Sequence, residues 1–205
     1  MEENKKLFSI YKSESEKIKI ILDNVLKMLS SRIYIDNNGE KQPLLILENA
    51  KKDFQDKGDG VHTIRANNGE KYAVKIFFQK ISSTGKQSII SDFLKEYTQY
   101  KKIVIASDFN NKAVDYMHKH QTQIFKESSL LFDIKSHIDQ PKFELLSSSE
   151  MEQVKQEYNI NEYTTNKYPP SDPIVKYFAL RKGDIIRIIR SSPTSGEAIN
   201  YRIVG

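Results

Sequence analysis

The sequence predicts an α/β chain, α+β overall, made of a mixed sheet with flanking helices followed by a small α+β domain. Three observations predict it. Apolar spacing switches repeatedly between a helical period and strand-like runs. Asn67-Asn68-Gly69 places the strongest short-range hairpin signal between two alternating segments. The stretch from Asp172 to Gly205 reads as a helix, a turn and a second hairpin.

The elements follow in order. Ile18, Ile21, Leu22, Val25, Leu26 and Leu29 lie at helical spacing among charged residues, which predicts an amphipathic helix ending near Ser30. Residues 36–60 are broken by Asn37-Asn38-Gly39, Pro43 and residues 56–60, and read as irregular. Residues 61–66 and 71–78 read as the two strands of the hairpin. Ile89, Ile90, Phe93, Leu94 and Tyr97 predict a helix within residues 86–100, leading into the apolar strand 103–106. A helix over residues 112–125 and a strand over 129–134 complete the αβ alternation.

The boundary falls near Pro141 to Ser149, giving parts 1–142 and 143–205. Ser149 with Glu152 reads as a capping box for a helix from Glu150 to Tyr158. Tyr168-Pro169-Pro170-Ser171 is an extended link, because residues before proline avoid the helical region. Asp172 is then a good N-cap and Pro173 suits the first helical position, where its missing N–H is not needed. Residues 181–184 read as the helix stop, with Gly183 at a left-handed position. The isoleucine-rich stretch 184–191 predicts a strand, 192–197 a loop, and the alternation of Ile199, Tyr201 and Ile203 with Asn200 and Arg202 a closing strand.

Composition narrows the function classes. The chain has 205 residues, no cysteine and four histidines. Neither a disulfide framework nor a thiolate metal cluster is available, and a reducing compartment fits. No apolar run approaches a signal peptide core or the roughly 20 residues of a membrane helix, so the expectation is a soluble chain, not secreted and without a membrane partner. The net charge of +5 sits entirely in residues 1–142, and residues 143–205 are neutral. A basic first part facing a polyanion and a neutral tail facing protein fit that distribution, as does an ordinary lysine-rich surface.

The ordered pieces Asp172-Pro173, Tyr177-Phe178, Lys182-Gly183, Ile188-Ile189-Arg190, Ser192-Pro193-Thr194-Ser195-Gly196 and Tyr201-Arg202-Ile203-Val204 carry a specific likeness. This tail resembles the C-terminal assembly domain of the fifth, jaw-forming subunit of eukaryotic-type RNA polymerases, a family with an archaeal counterpart. The chain departs from that pattern at Ala179, Ser195 and Ala198, where the family usually has Gly, Ala and a bulkier residue. The first part resembles the family's jaw domain in element order, with paired Phe77-Phe78 and Ile103-Val104-Ile105, but has Phe109-Asn110-Asn111 where a Thr-Pro element is common. The lysine, asparagine and isoleucine richness is similar to that of copies from large cytoplasmic DNA viruses, asfivirus-like.

The resemblance implies a noncatalytic subunit of a DNA-directed RNA polymerase. Its tail would fix it to the largest subunit beside the other subunits, and its jaw domain would face downstream duplex DNA, with no cofactor and no small-molecule ligand. A viral copy would act in the host cytoplasm, in viral factories, and enter the virion; a cellular one would act in the nucleus. Tyr177, Phe178, Arg190, Tyr201 and Arg202 are the expected assembly anchors, aromatic and arginine side chains being those that carry most interface energy. For Tyr201, a core position competes with that role, and for Arg190, capping of a neighbouring carbonyl. Asp172, Pro173, Gly183, Thr194 and Gly196 serve the turns and caps. Lys80, Lys86, Lys101, Lys102 and Lys112 are candidates to approach DNA phosphates.

Two other classes compete. A standalone nucleic-acid-binding module would use the same lysines. A Mg²⁺-dependent nuclease would need Asp133-Ile134-Lys135 on a strand with Asp108 as partner, carboxylates holding the metal while lysine polarises water. His118 and His120 lie about 200° apart on a helix, so they cannot share a metal.

Overall fold

The computed structural model describes residues 12–82, 89–136, 140–161, 163–192, 194 and 196–205. Lys86, Pro193 and Ser195 lie outside the described residues. Helix α1 (Glu14–Ser30) starts in a capping box: the Ser13 hydroxyl accepts from the Glu16 N–H and the Glu16 carboxylate accepts from the Ser13 N–H. Its apolar face buries Ile21, Val25, Leu26, Met28 and Leu29.

Residues 36–60 are not irregular. They include the second strand of a small hairpin, β1 (Ile33–Ile35) with β2 (Lys41–Pro43), then α2 (Leu47–Asp53) and β3 (Gln55–Asp56). Asp36 organises the hairpin turn, its carboxylate accepting backbone N–H bonds from Asn38 and Glu40 at 2.9 Å each. Strands this short show no periodicity, which is why the pattern conceals them.

The main sheet has the order β3-β4-β5-β6-β7. It comprises β4 (Val61–Arg65), β5 (Lys71–Ile81), β6 (Lys101–Phe109) and β7 (Thr122–Lys126), with α3 (Ile89–Glu96) and α4 (Asn111–Lys119) in the crossovers. The β3-β4-β5 pairs are antiparallel, and β5-β6-β7 are parallel, so the sheet is mixed as expected. β6 is apolar without alternation because both its faces are covered: Ile103 and Ile105 point into one core, Val104 and Ala106 into another. Asn110 explains the absence of proline after β6, since its side chain caps α4 by accepting from the Ala113 N–H at 2.9 Å.

Two expectations fail here. The helix predicted to run to residue 125 ends at Lys119; Gln121 is left-handed (φ 52°), and the chain re-enters the sheet at Thr122. Residues 129–134 are not a strand. The chain forms α5 (Glu127–Leu130), where the Ser129 hydroxyl donates to the Lys126 carbonyl at 2.7 Å, and then a 3₁₀ turn (Ile134–Ser136), where Asp133 accepts from the Lys135 N–H.

The remaining elements are β8 (Lys142–Leu145), α6 (Ser148–Tyr158), β9 (Lys167–Tyr168), α7 (Pro173–Phe178), β10 (Ile185–Ser192) and β11 (Gly196–Val204), with sheet order β8-β10-β11-β9. α6 begins earlier than predicted. Its capping box is Ser147 with Glu150, not Ser149 with Glu152, because two overlapping Ser-x-x-Glu frames exist and the chain uses the first. α7 is capped as expected by Asp172, whose carboxylate accepts from the Ile174 N–H at 2.8 Å, with Pro173 in the first turn. Its end differs: Ala179, not Gly183, is the left-handed residue that stops the helix (φ 54°), and Gly183 (φ 91°) serves the next turn, its N–H donating to the Val204 carbonyl.

Three apolar clusters hold these layers. The largest joins α1, one face of the five-stranded sheet, α7 and the inner face of the β10-β11 hairpin. The second lies between the opposite face of that sheet and α3 and α4. The third packs α6 against Ile185 and Ile203.

Candidate functional site

The β10-β11 hairpin extends past its neighbours. β8 pairs only with residues 186–189 of β10, and β9 only with Ile203 and Val204 of β11. Among the described residues, the outer edge of β11 from Gly196 to Arg202 therefore has no strand partner. Such an edge carries unpaired N–H and C=O groups and is a template for another chain.

The two faces of the free half differ. On one, Ile189 pairs with Ile199, which is 53% exposed, and Arg187 pairs with Tyr201. Arg187 Nε donates to the Tyr201 hydroxyl at 3.2 Å, and its Nη1 lies 3.3 Å from Glu144; the exposed Tyr158 ring sits 5.2 Å from Tyr201. Lys142 and Arg187 hold the Glu144 carboxyl below its ordinary range, burial opposing them. On the other face, Arg190 is exposed and Arg202 lies 4.6 Å above the Tyr168 ring.

The expected anchors thus divide. Arg190, Tyr201 and Arg202 reach the surface of the hairpin. Tyr177 and Phe178 do not: they are 4% and 6% exposed and pack inside the largest cluster, with Phe178 against Phe143 at 5.9 Å. In this fold they help form the core. Their helical spacing gives adjoining faces, and α7 is enclosed on both. Asp172, Pro173, Gly183 and Gly196 occupy cap or turn positions, and Thr194 sits at the exposed hairpin tip. Ile199 is legible in the sequence only as part of an apolar face, and its exposure is not foreseen there. Tyr158 and Arg187 give no signal beyond helix and strand membership.

The lysines divide as well. Lys102 is 5% exposed, its ammonium 3.4 Å from the Tyr100 carbonyl, and burial lowers its pKa; it does not face solvent. Lys101 pairs with Glu70, and Lys80 with Asp108 at 3.1 Å. Lys126 joins Lys80 on Asp108, holding that carboxyl down to about 2. Lys112 is exposed and has no ion pair among the described residues.

The nuclease arrangement loses its premise, since Asp133 precedes a 3₁₀ turn that contains Lys135, and Asp108 is engaged by two lysines. His118 lies in the last turn of α4, while His120 is its C-cap, with its ring 4.6 Å from Tyr116. Among the described residues no group of three or more metal-ligating side chains converges, and no helix is long and apolar enough to cross a membrane.

One buried cation is invisible in the sequence. Arg32, 4% exposed, donates from Nε to the Tyr177 carbonyl at 2.8 Å and from Nη2 to the Lys176 carbonyl at 3.2 Å, tying the end of α1 to the end of α7. Burial pushes its guanidinium down to about 10. The negative end of α7 supplies its compensation.

Comparison with known proteins supplies what geometry alone does not. The family RNA polymerase Rpb5, C-terminal domain, matches residues 132–204. The chain is 55% identical over 204 residues to DNA-directed RNA polymerase subunit 5 of Acanthamoeba polyphaga mimivirus, covering 100% of both chains. It is 37% identical over 71 residues to subunit Rpo5 of Methanocaldococcus jannaschii, covering 35% of this chain and 91% of the relative. Against subunit RPABC1 of RNA polymerases I, II and III from Caenorhabditis briggsae, identity is 25% over 200 residues, covering 90% of this chain and 93% of the relative.

Proposed function

We propose, from the premise that the chain belongs to the DNA-directed RNA polymerase subunit 5 family, that it is a subunit of a multisubunit DNA-directed RNA polymerase with no catalytic role of its own. Residues 143–205 are its assembly domain and fix it to the largest subunit; residues 1–142 form part of the jaw facing downstream duplex DNA. The four-stranded sheet, drawn wholly from residues 142–204, supports that division. The mimivirus relative, alike along its whole length, supports a large DNA virus as the source and viral factories in the host cytoplasm as the place of action. The narrower asfivirus likeness rests on composition, the thin jaw similarity and the length, and no relative named above is an asfivirus protein.

The observation that carries the assembly role is the outer half of the β10-β11 hairpin, whose β11 edge has no strand partner among the described residues, with the exposed Ile199 and the arginines Arg190 and Arg202. Apolar and arginine anchors beside an open edge suit a protein partner, where a few central residues dominate affinity. Co-purification with the polymerase is the test. Ile199→Asp combined with Arg190→Glu is expected to abolish recovery with the largest subunit while the isolated chain keeps its circular dichroism spectrum; undiminished recovery refutes the assignment.

For the jaw, Lys112 is the candidate of first choice, with Lys80 and Lys101 partly neutralised by their carboxylates. Contacts of this kind act on phosphate without reading sequence. A salt titration of duplex DNA with the isolated chain distinguishes subunit from module. Weak binding together with stable incorporation supports the subunit, whereas tight independent binding supports a nucleic-acid-binding module.

A further inference from the structure

A second open edge lies on the main sheet, away from the hairpin. β7 is the outermost strand, paired with β6 on one side and with no strand on the other among the described residues. A groove of about 380 Å³ runs along it. Val114 and Ile124 line it from one face of the sheet and Gln123 and Phe125 from the other, so the groove wraps the strand's edge; Val175 and Leu180 form the opposite wall.

Two polar features give this groove a direction of charge and a need for a donor. The Gln123 side-chain oxygen is buried and accepts no hydrogen bond among the described residues. Leaving such an acceptor without a donor is unfavourable, and a donor from an incoming chain would relieve it. The ionisable residues of the lining are His118, Lys176 and Lys182, with no carboxylate among them.

We infer that this groove receives an extended, acidic segment of another polypeptide, which adds a strand to β7. The segment's backbone pairs with the β7 edge, an N–H of its chain or side chains reaches Gln123, its apolar side chains enter between Phe125 and Leu180, and its carboxylates meet Lys176 and Lys182. Strand addition of this kind takes affinity from main-chain hydrogen bonds and specificity from alternate side chains. A nucleic acid fits less well: it would gain from the two lysines but nothing from an apolar wall and an open strand edge.

The inference is tested on the isolated full chain, so its outcome is independent of incorporation into a polymerase. The probes are two short blocked peptides, one alternating glutamate with valine, the other lysine with valine. Backbone amide NMR with hydrogen exchange is the readout. The acidic peptide is expected to shift and protect the amides of residues 122–126 and to bind about tenfold or more tightly than the basic one. Lys176→Glu with Lys182→Glu is expected to reverse that preference. Perturbation confined to other residues, equal binding of both peptides, or a DNA duplex perturbing these amides when the acidic peptide does not, overturns it.

Discussion

Ala179 holds a backbone conformation that suits glycine. With φ at 54° its Cβ crowds the neighbouring carbonyl, a cost of about 1–2 kcal/mol for an L-residue with a side chain. Ala179→Gly is expected to stabilise the chain by about 0.5–1 kcal/mol, the gain being reduced by the extra freedom of glycine when unfolded, and a shift in the urea midpoint measures it. Arg32 makes the opposite case. Arg32→Met keeps much of the volume but leaves two α7 carbonyls without their donor, and a loss of about 2–3 kcal/mol is expected by the same measurement. Neither effect is legible from pattern: Arg32 belongs to no period, and the left-handed role points to Gly183 because glycine is its usual bearer. Lys102 misleads for a related reason, since a lysine beside an apolar run reads as a solvated end and here lies within the sheet.

Helix α1 is readable because periodicity accumulates along its 17 residues and the closing strand because its apolar residues alternate, whereas β5 is marked by the Asn-Gly turn before it and the six-residue α7 by the Asp172-Pro173 start. The short pieces β1, β2 and α2 repeat no period, and residues 129–134 pass for a strand because Leu130, Leu131, Phe132 and Ile134 form a short apolar run that fits either form. The start of α6 is ambiguous between two serine frames, and this gives a direct check. Ser147→Ala is expected to destabilise by about 1 kcal/mol, and Ser149→Ala to have little effect, in thermal melts of both variants.

The same helix carries a pH-dependent link. Glu150 pairs with Lys41 across to β2; burial alone would raise its pKa, but the Lys41 ammonium and the Ser147 N–H bring it from 4.5 to about 2. A carboxyl depressed on folding contributes stability that is present above pH 4.5 and lost as pH falls toward 2. Glu150→Gln is therefore expected to lower the melting temperature modestly near neutrality. The difference from the parent should close steadily toward pH 2, in melts taken across that range.

On the scale of the molecule, the mixed sheet with its flanking helices is legible while the depth of its contact with the tail is not. Residues 132–204 match a family model for a domain of their own, yet here α7 and the inner hairpin face share one apolar cluster with α1 and the main sheet. A fragment of residues 143–205 is expected to form its sheet and α7 but to melt well below the intact chain, because Ile174, Val175, Tyr177 and Phe178 lose cover. Circular dichroism on fragment and full chain reads this directly. Which face of the tail meets α1 and the main sheet, and which meets α6, depends on contacts far apart in the sequence, and no local pattern encodes that.

That shared cluster sets a timetable for biosynthesis. Residues 21–29 share their core with Ile186, Ile188 and Val204, so helix α1 cannot be fully covered until those much later residues have left the ribosome. Contacts so distant along the chain are slow to form, and the exposed helix is a client for holding chaperones in the meantime.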